Sequence, residues 1–369
     1  MSEPLLSIRE LVTEFSTPDG VVHAVDGVSY DVHPGETLGI VGESGSGKSV
    51  TVMSILRLIP QPPGRIAAGE IWLEDRNLLE LDDDELRRVR GQEIAMIFQD
   101  PMTSLNPVLT VGAQIAEAIQ THDKQIAAAE ARRRVVELLE RVGVPNAAAR
   151  FGQYPHEYSG GMRQRAMIAM AIANRPKILI ADEPTTALDV TIQAQVLQVL
   201  RTAQQETSAG TILITHDLGV IAEMADRVVV MYGGKVVETG TVDDIFHHPS
   251  HPYTLGLLSS LPRAGKQVER LAPIPGQPPS LINLPGGCAF HPRCRMSQGR
   301  DRCRTEVPEL VSLGQGRASA CHFHEELPEE IARIEAATGV GIEHEVPAVE
   351  HEVPAVETSS ERRDQQEGK

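Results

Sequence analysis

The chain has 369 residues and a formal net charge of −17, with 41% hydrophobic and 3% aromatic residues, so it is long enough for more than one domain with a sizeable core. It has no apolar run near the ~20 residues that cross a bilayer, and Met1–Pro4 lacks the basic and apolar regions of a signal peptide, which predicts a soluble, cytoplasmic protein unless a membrane partner recruits it. The acidic balance argues against general nucleic-acid binding, although much of it lies between 325 and 369, where 13 acidic and 4 basic residues stand.

Short apolar segments alternate with turns over residues 5–100, which predicts strands. The predicted strands are Leu5–Phe15, Val21–Tyr30, Thr37–Val41, Gly69–Leu73 and Ile94–Phe98. We expect an antiparallel layer near the N-terminus, and a helix-competent segment, Val50–Leu58, follows the third strand.

Between that strand and that helix, Gly42–Ser49 fits the phosphate-loop pattern G-x-x-x-x-G-K-[ST]. Glycines let successive backbone N–H groups surround phosphate oxygens at a helix N-terminus. Lys48 can reach the β- and γ-phosphates, and the Ser49 hydroxyl can ligate Mg²⁺. The strand–loop–helix context favours this interpretation over a glycine-rich structural turn. The sequence therefore predicts nucleoside triphosphate binding by the loop residues Gly42, Ser44, Gly45, Gly47, Lys48 and Ser49.

Further along the chain, helical and strand patterns alternate. Residues 111–142 carry apolar positions at helical spacing, and Gly143 stands where a C-terminal cap belongs. Strand patterns return at Lys177–Ala181, Thr211–Thr215 and Arg227–Tyr232, with a helical segment, Ile192–Ser208, between the first two. This order predicts an α/β fold with a mainly parallel sheet and a helical insert.

Two carboxylates end the strand at 177–181. A buried parallel strand delivers Asp182 and Glu183 to the carboxyl edge of the sheet, where ligands bind. Asp182 suits the Mg²⁺ shell, and Glu183 can polarise the water that attacks the γ-phosphate. Two solvated carboxylates in a turn are the alternative interpretation.

Three more features complete the constellation. Ser159-Gly160-Gly161 opens an apolar helix and presents N–H groups at its N-terminus, which makes a second anion site and suggests a site completed between subunits. Gln99 ends the strand at 94–98, and His216 follows the strand at 211–215, where a γ-phosphate sensor would stand. In isolation, His216 would be interpreted as a surface histidine.

In this order, the motifs resemble those of the nucleotide-binding subunit of an ABC transporter, over roughly residues 5–245. The resemblance implies ATP sandwiched at a head-to-tail dimer, between one phosphate loop and the partner's Ser159-Gly160-Gly161. It also implies Gln99 at the Mg²⁺ and the attacking water, Phe15 stacked on adenine, and Asp189, in the turn Ala187-Leu188-Asp189, at the nucleotide site.

Narrower motifs resemble the oligopeptide/dipeptide permease ATPases, a group that also includes nickel and glutathione importers. They are Phe98–Pro107, Pro184–Thr191 and His251-Pro252-Tyr253-Thr254. The resemblance implies two membrane-spanning permease subunits, a second nucleotide-binding subunit (a copy or a paralogue), an extracytoplasmic solute-binding protein and a peripheral place on the cytoplasmic face of the membrane. A soluble ABC ATPase acting on DNA or ribosomes is the alternative, but the chain lacks coiled-coil arms and a second cassette.

The predicted organisation has three parts. An ATPase domain spans 1–245 with a helical subdomain at about 100–160, and a small domain spans 246–325. Within the small domain, residues 262–287 contain six prolines and are interpreted as a linker or an extended covering segment, and the cysteines follow them. The acidic region 326–369 contains a tandem repeat, 344–350 and 351–357, and predicts a disordered tail.

All four cysteines cluster near the C-terminus: Cys288, Cys294, Cys303 and Cys321. Cytosolic disulfides are unfavourable, and the spacing lacks paired C-x-x-C. Four thiolates suit a [4Fe–4S] cluster or zinc, His291, His322 and His324 keep a mixed zinc site open, and unliganded cysteines are a third possibility. The pattern Gly287–Cys294 is similar to one in the permease ATPases that is associated in several members with a [4Fe–4S] cluster. Since nothing in the sequence links the cysteines to the phosphate loop, we expect a structural or regulatory metal site separable from ATP binding.

Overall fold

The computed structural model describes residues 3–186, 188–260 and 274–338. Its strands are β1 Leu6–Thr17, β2 Gly20–Val32, β3 Thr37–Val41, β4 Gly64–Leu73, β5 Arg76–Asn77, β6 Ile94–Ile97, β7 Ile178–Asp182, β8 Gly210–Ile214, β9 Arg227–Tyr232, β10 Lys235–Thr241, β11 Val311–Gly314 and β12 Arg317–Ser319. The helices are α1 Lys48–Ile55, α2 Asp83–Val89, α3 Pro101–Ser104, α4 Val111–His122, α5 Ala128–Arg141, α6 Ala147–Arg150, α7 Gly160–Ile172, α8 Val190–Thr207, α9 Leu218–Met224, α10 Val242–His247, α11 Pro252–Ser259, α12 Asp301–Thr305 and α13 Leu327–Thr338.

An eight-stranded sheet in the order β11-β12-β10-β9-β3-β8-β7-β6 forms the centre of the molecule. The strands from β9 to β6 pair in parallel, as in Ile40↔Ile214 of β3 and β8. Every residue of β3, β7 and β8 is buried, which is why these strands are continuous apolar runs in the sequence. The α/β cassette with a mainly parallel sheet is confirmed.

A second sheet is antiparallel, in the order β2-β1-β4-β5. Its inward residues, such as Leu11 and Val28, share one core with Val52 and Ile55 of α1 and with Ile40 of β3. Helix α1 therefore lies between the two sheets, and the loop that precedes it is held on both sides.

The helical insert packs against the opposite face of the main sheet. Its core joins α4, α5 and α7 through buried residues such as Ile115, Val135 and Ile168. Thr110 accepts a hydrogen bond from the N–H of Ala113 at the start of α4, and Gly143 follows α5 with φ 73°. The single helical region predicted at 111–142 is thus two helices.

The C-terminal region extends the main sheet. Strand β12 pairs with β10, with Glu238 opposite Ser319, and β11 pairs with β12. One sheet therefore crosses the boundary predicted at 245. Part of the predicted proline-rich linker, 261–273, lies outside the described residues.

The predicted disordered tail begins too early. Residues 327–338 form α13, whose Leu327 is fully buried against Leu255, with Ile331 and Ile334 packed beside them. This spacing of four and seven residues is helical, and its apolar stripe outweighs the acidic composition. The remainder of the predicted tail, with its repeat, lies outside the described residues.

Across the residues that the structure describes, no helix combines the length and the apolar character needed to span a membrane.

Candidate active site

The phosphate loop connects β3 to α1 and has a backbone that only glycine adopts easily. Gly42, Gly45 and Gly47 have φ angles of 154°, 79° and 103°. A Cβ on Gly42 would lie 2.3 Å from the carbonyl oxygen of Met231, and one on Gly47 would lie 2.4 Å from that of Ala24. The loop is therefore pressed against the neighbouring strands while Gly45 and Ser44 are exposed, which leaves its tip open to a ligand.

The Lys48 side chain folds back along this loop. Its Nζ donates to the carbonyl oxygens of Gly42 at 2.8 Å and Glu43 at 2.9 Å, and the residue is 6% exposed. Burial lowers the pKa of Lys48, while Glu183, Asp182 and Glu43 act in the opposite direction. A largely buried ammonium group at the first turn of a helix is well placed to bind phosphate oxygens.

Ser49 and Asp182, both predicted as Mg²⁺ ligands, lie in contact with each other. The Ser49 Oγ donates to Asp182 Oδ1 at 3.0 Å. Asp182 is 6% exposed, and burial raises its pKa more than the Ser49 hydrogen bond lowers it. A buried carboxylate beside a hydroxyl is the oxygen donor set that Mg²⁺ favours, so the residues fit that ion.

Glu183 lies next to this pair, where three side chains surround one carboxylate oxygen. Its Oε2 accepts from Gln99 Nε2 at 3.0 Å and from Thr186 Oγ1 at 2.7 Å, and His216 Nδ1 lies 3.4 Å away. The Glu183 backbone has φ 46° and its N–H donates to Ile214 of β8. The sheet thus holds a non-glycine residue in the left-handed region, which is sustained only where the surroundings impose it.

Other predicted site residues lie apart from this constellation. Ser159 caps α7, with its Oγ accepting from Met162 N–H, and it is exposed together with Gly160. A Cβ on Gly161 would lie 2.7 Å from Ile192, so the turn packs on the start of α8 rather than on the phosphate loop of the same chain.

Two more residues of the predicted site are Asp189, at the start of α8, and Phe15, within β1. Asp189 is exposed and caps α8 by accepting from the N–H of Ile192, while Ala187 lies outside the described residues. Phe15 is half-buried on β1, opposite Val22 and Gly64.

The segment after Gln99 presents apolar side chains to solvent. Phe98, Met102, Val108 and Leu109 are exposed by 42%, 60%, 75% and 40%. Leu105 is buried at 2% and contributes to the core beneath them. A groove beside this patch is lined by Phe98, Leu105, Met167 and Met170, among others.

All four cysteines line one small cavity, together with His291 and His322. The thiols are free, and burial raises the pKa of Cys294 to about 11 and that of Cys321 to about 12. Among the residues described, no group of three or more cysteine, histidine or acidic side chains is placed to hold a metal ion as it stands. One cavity nevertheless collects four thiols that span 33 positions of the sequence, and thiolates are the ligands that iron–sulfur clusters use.

A contact that the sequence did not predict joins this region to the phosphate loop. The guanidinium of Arg293 pairs with Glu43 through Nη1–Oε2 at 2.5 Å and Nη2–Oε1 at 2.9 Å. The hydroxyl of Tyr253 accepts from the Glu43 N–H at 2.7 Å. The C-terminal region therefore contacts the phosphate loop directly, while the separability of the metal site from ATP binding stays a prediction. In the sequence, this contact is signalled by the motif at 251–254, which supplies Tyr253.

Two families match this chain in comparisons with known proteins. Residues 25–186 match the family described as ABC transporter, and residues 237–303 match the one described as oligopeptide/dipeptide transporter, C-terminal region.

Curated relatives extend over most of the chain. A putative peptide import ATP-binding protein of Brucella ovis is 51% identical over 330 residues, covering 86% of this chain and 97% of that protein. The oligopeptide transport ATP-binding protein OppD of Bacillus subtilis is 56% identical over 287 residues, covering 78% and 80%.

Solved structures share the fold of the larger part. A dimeric post-hydrolysis state of the ATP-binding cassette MJ0796, bound to ADP and Pi, aligns with a TM-score of 0.58 at 27% identity, covering 64% of this chain and 98% of that one. The structure of cbiO1 from Clostridium perfringens, part of an ABC transporter complex, aligns with a TM-score of 0.56 at 26% identity, covering 67% and 92%.

Proposed function

This chain belongs to the ATP-binding proteins of ABC transporters, and on that premise we propose that it hydrolyses ATP to energise the import of oligopeptides or dipeptides. The observation that carries the hydrolytic role is the arrangement of Glu183 with Gln99 and His216 beside the Ser49–Asp182 pair. The peptide cargo is supported by the relatives named for peptide import and by the matching C-terminal family. Importers of nickel or glutathione are the alternative.

In the proposed chemistry, Glu183 accepts a proton from, or orients, the water that attacks the γ-phosphate. Gln99 and Thr186 fix its Oε2 by hydrogen bonds, and His216, with 63% of its side chain exposed, is placed to contact the γ-phosphate. The backbone N–H groups of Gly45 and Gly47 and the ammonium of Lys48 bind phosphate oxygens. Phe15 and Ser44 contribute to nucleotide binding at the edges of the site.

Ser49 and Asp182 would hold Mg²⁺, with Gln99 near it. An ion held there would supply positive charge to offset the negative charge of the phosphates. The chain's own residues supply the pocket, the water-orienting carboxylate and the sensor.

We propose that a second nucleotide-binding subunit completes each site. Ser159 and Gly160 are exposed, and Gly161 lies against Ile192 at the start of α8. A helix N-terminus capped by a serine is an anion site, so a partner's γ-phosphate is a suitable ligand. Asp189, exposed at the start of α8, would lie at the same interface.

The membrane-spanning permease subunits would dock on the apolar patch formed by Phe98, Met102, Val108 and Leu109. Apolar side chains exposed together beside a groove mark an interaction surface. On this proposal the chain would lie on the cytoplasmic face of the membrane, and it would act with an extracytoplasmic solute-binding protein and without nucleic acid.

The function is tested by purifying the chain with its permease subunits, reconstituting them in vesicles and measuring ATP-dependent uptake of labelled dipeptides and oligopeptides. We expect peptide uptake that stops when ATP is omitted. Uptake of nickel or glutathione in place of peptide would identify the alternative cargo, and ATP hydrolysis stimulated by nucleic acid without the permease would refute the transport role.

We further propose that Cys288, Cys294, Cys303 and Cys321 hold a [4Fe–4S] cluster, with zinc as the alternative. The support is their common cavity and their free thiols. Protein purified without oxygen is expected to be brown and to contain about four iron and four sulfide per chain. Colourless protein with one zinc per chain would favour the tetrahedral alternative.

A further inference from the structure

A buried arginine of the C-terminal region, Arg293, forms an ion pair with the phosphate loop. Arg293 makes a two-pronged ion pair with Glu43, which is the second residue of the Gly42–Ser49 loop. Its side chain is 6% exposed and that of Glu43 is 25% exposed. Paired parallel hydrogen bonds of this kind fix orientation as well as distance.

The other donors of Arg293 are also occupied. Nε donates to the carbonyl oxygen of Pro275 at 2.9 Å, Nη2 contacts that of Gly276 at 3.4 Å, and Nη1 lies 3.3 Å from the Tyr232 hydroxyl. The guanidinium is therefore fixed by the C-terminal region on one side and by the end of β9 on the other. Because guanidinium geometry is rigid, a shift of residues 275–276 would be passed to Glu43.

Tyr253 holds the backbone of the same residue. Its hydroxyl accepts the Glu43 N–H, and its ring is fully buried against Tyr232 and Phe290, with centroids 4.6 Å and 5.3 Å away. Phe290 also lines the cysteine cavity. The backbone and side chain of Glu43 are thus both held from outside the nucleotide-binding motif.

Glu43 in turn positions the lysine that meets the phosphates. Its carbonyl oxygen accepts from Lys48 Nζ at 2.9 Å. A continuous series of contacts therefore runs from Cys294, through its neighbour Arg293, to Glu43 and Lys48.

We propose that Arg293 is a positioning residue for ATP binding. Through its ion pair with Glu43, it couples the occupancy of the cysteine cavity to the conformation of the phosphate loop. The inference rests on ATP binding as proposed above. A coupling of this kind is reciprocal, so occupancy of either site changes the affinity of the other.

The test is ATP affinity of the full chain, measured by titration for the wild type, Arg293→Met, Glu43→Gln and the double variant. We expect each single change to raise the Kd for ATP about tenfold, within the usual range of coupling factors, and the double variant to be no weaker than the weaker single one. Arg302→Met is the matched control, because Arg302 precedes Cys303 as Arg293 precedes Cys294 but pairs with exposed Glu306. An unchanged Kd in Arg293→Met, or effects that add in the double variant, would overturn the positioning role.

A milder variant covers the case in which Arg293→Met does not fold. Tyr253→Phe removes one hydroxyl and leaves the ring in place, and we expect several-fold weaker ATP binding with an unchanged kcat in the assembled transporter. Loss of kcat at constant affinity would contradict positioning. Wild-type chain that fails to bind ATP, alongside an equally inactive Lys48→Ala control, would instead refute the proposed function itself.

The coupling between the cysteine cavity and the phosphate loop is tested by a double-mutant cycle of Cys294 and Arg293. Cys294→Ser is expected to weaken ATP binding several-fold in the wild-type background and to have no further effect when Arg293 is already methionine. An equal effect in both backgrounds, or none in the wild type, would show that the cavity does not act through Arg293.

Discussion

Replacing Glu183 by glutamine isolates the proposed catalytic step from binding. In the structure, Oε2 of Glu183 accepts from Gln99 at 3.0 Å and from Thr186 at 2.7 Å. A glutamine can turn its one carbonyl oxygen towards both donors, so the side chain keeps its place and its volume. The negative charge and the ability to take a proton are lost.

The expected magnitude follows from that difference. Removing a general base or an orienting carboxylate slows turnover by ~10²–10⁴-fold, which corresponds to about 3–5 kcal/mol in the activation barrier. Lys48, Ser49 and the glycine loop are untouched, so the affinity for ATP is expected to stay within about twofold of the wild type. ATP that binds and is not hydrolysed should trap the closed dimer.

The assay compares ATP turnover of the reconstituted transporter with ATP binding by the isolated chain. Glu223→Gln is the matched control, since Glu223 pairs with Arg201 on the surface and lies outside the site, and it should leave both quantities unchanged. Turnover of the Glu183 variant within about tenfold of the wild type would refute the catalytic assignment. A large loss of ATP affinity would show that Glu183 acts in binding instead.

Three further predictions address binding, docking and pH. Lys48→Ala removes the buried ammonium and should weaken ATP binding in a direct titration by about 100-fold or more; unchanged affinity would contradict its phosphate role. Replacing Met102 and Val108 together by serine alters exposed side chains and should abolish transport in vesicles while ATP binding persists, so normal transport would refute docking at this patch. Burial lowers the pKa of His251 to about 3 and raises that of Glu238 to about 7: stability from the neutral histidine is lost as pH falls below 6.5, and stability from the protonated glutamate is lost as pH rises above 4.5. Between pH 4.5 and 6.5, the pH dependences of stability from the two groups therefore oppose each other. His251→Gln removes the histidine contribution, so its free energy of urea unfolding should fall with rising pH more steeply than that of the wild type, by about 1.4 kcal/mol per pH unit. Equal slopes for the two proteins would contradict the assignment.

The clustering of the candidate site residues could be predicted because they stand at the ends of buried strands. The apolar runs before Gly42, Gln99, Asp182 and His216 each mark a parallel strand, and the carboxyl ends of such strands meet at one edge of the sheet. The structure brings Ser49 to Asp182 and Gln99 and His216 to Glu183 at that edge. Local pattern and sheet geometry together place these residues at one edge, and the structure adds which side chains touch.

The C-terminal strands had no comparable signal. In β11 every residue is exposed or half-exposed, so its side chains carry no apolar alternation, and its place is set by pairing with β12. The helix α13 did have a signal in the spacing of Leu327, Ile331 and Ile334, but the acidic composition of the region led to the opposite expectation. Periodicity was the better guide there, because burial of Leu327 depends on spacing and not on average charge.

Neither strand pattern nor helical periodicity could reveal the ion pair between Arg293 and Glu43, since 250 positions separate the two residues. A charged residue after a histidine-proline pair gives no indication of its partner. The motif at 251–254 nevertheless carries a physical hint, because a tyrosine that packs in a core is stabilised when its hydroxyl finds a hydrogen-bond partner. In the structure that partner is the N–H of Glu43. The His-Pro-Tyr-Thr motif is thus a structural part of the phosphate loop's support, and the C-terminal region is bound to the ATP site through groups that cannot be removed without leaving a buried charge or N–H unpaired.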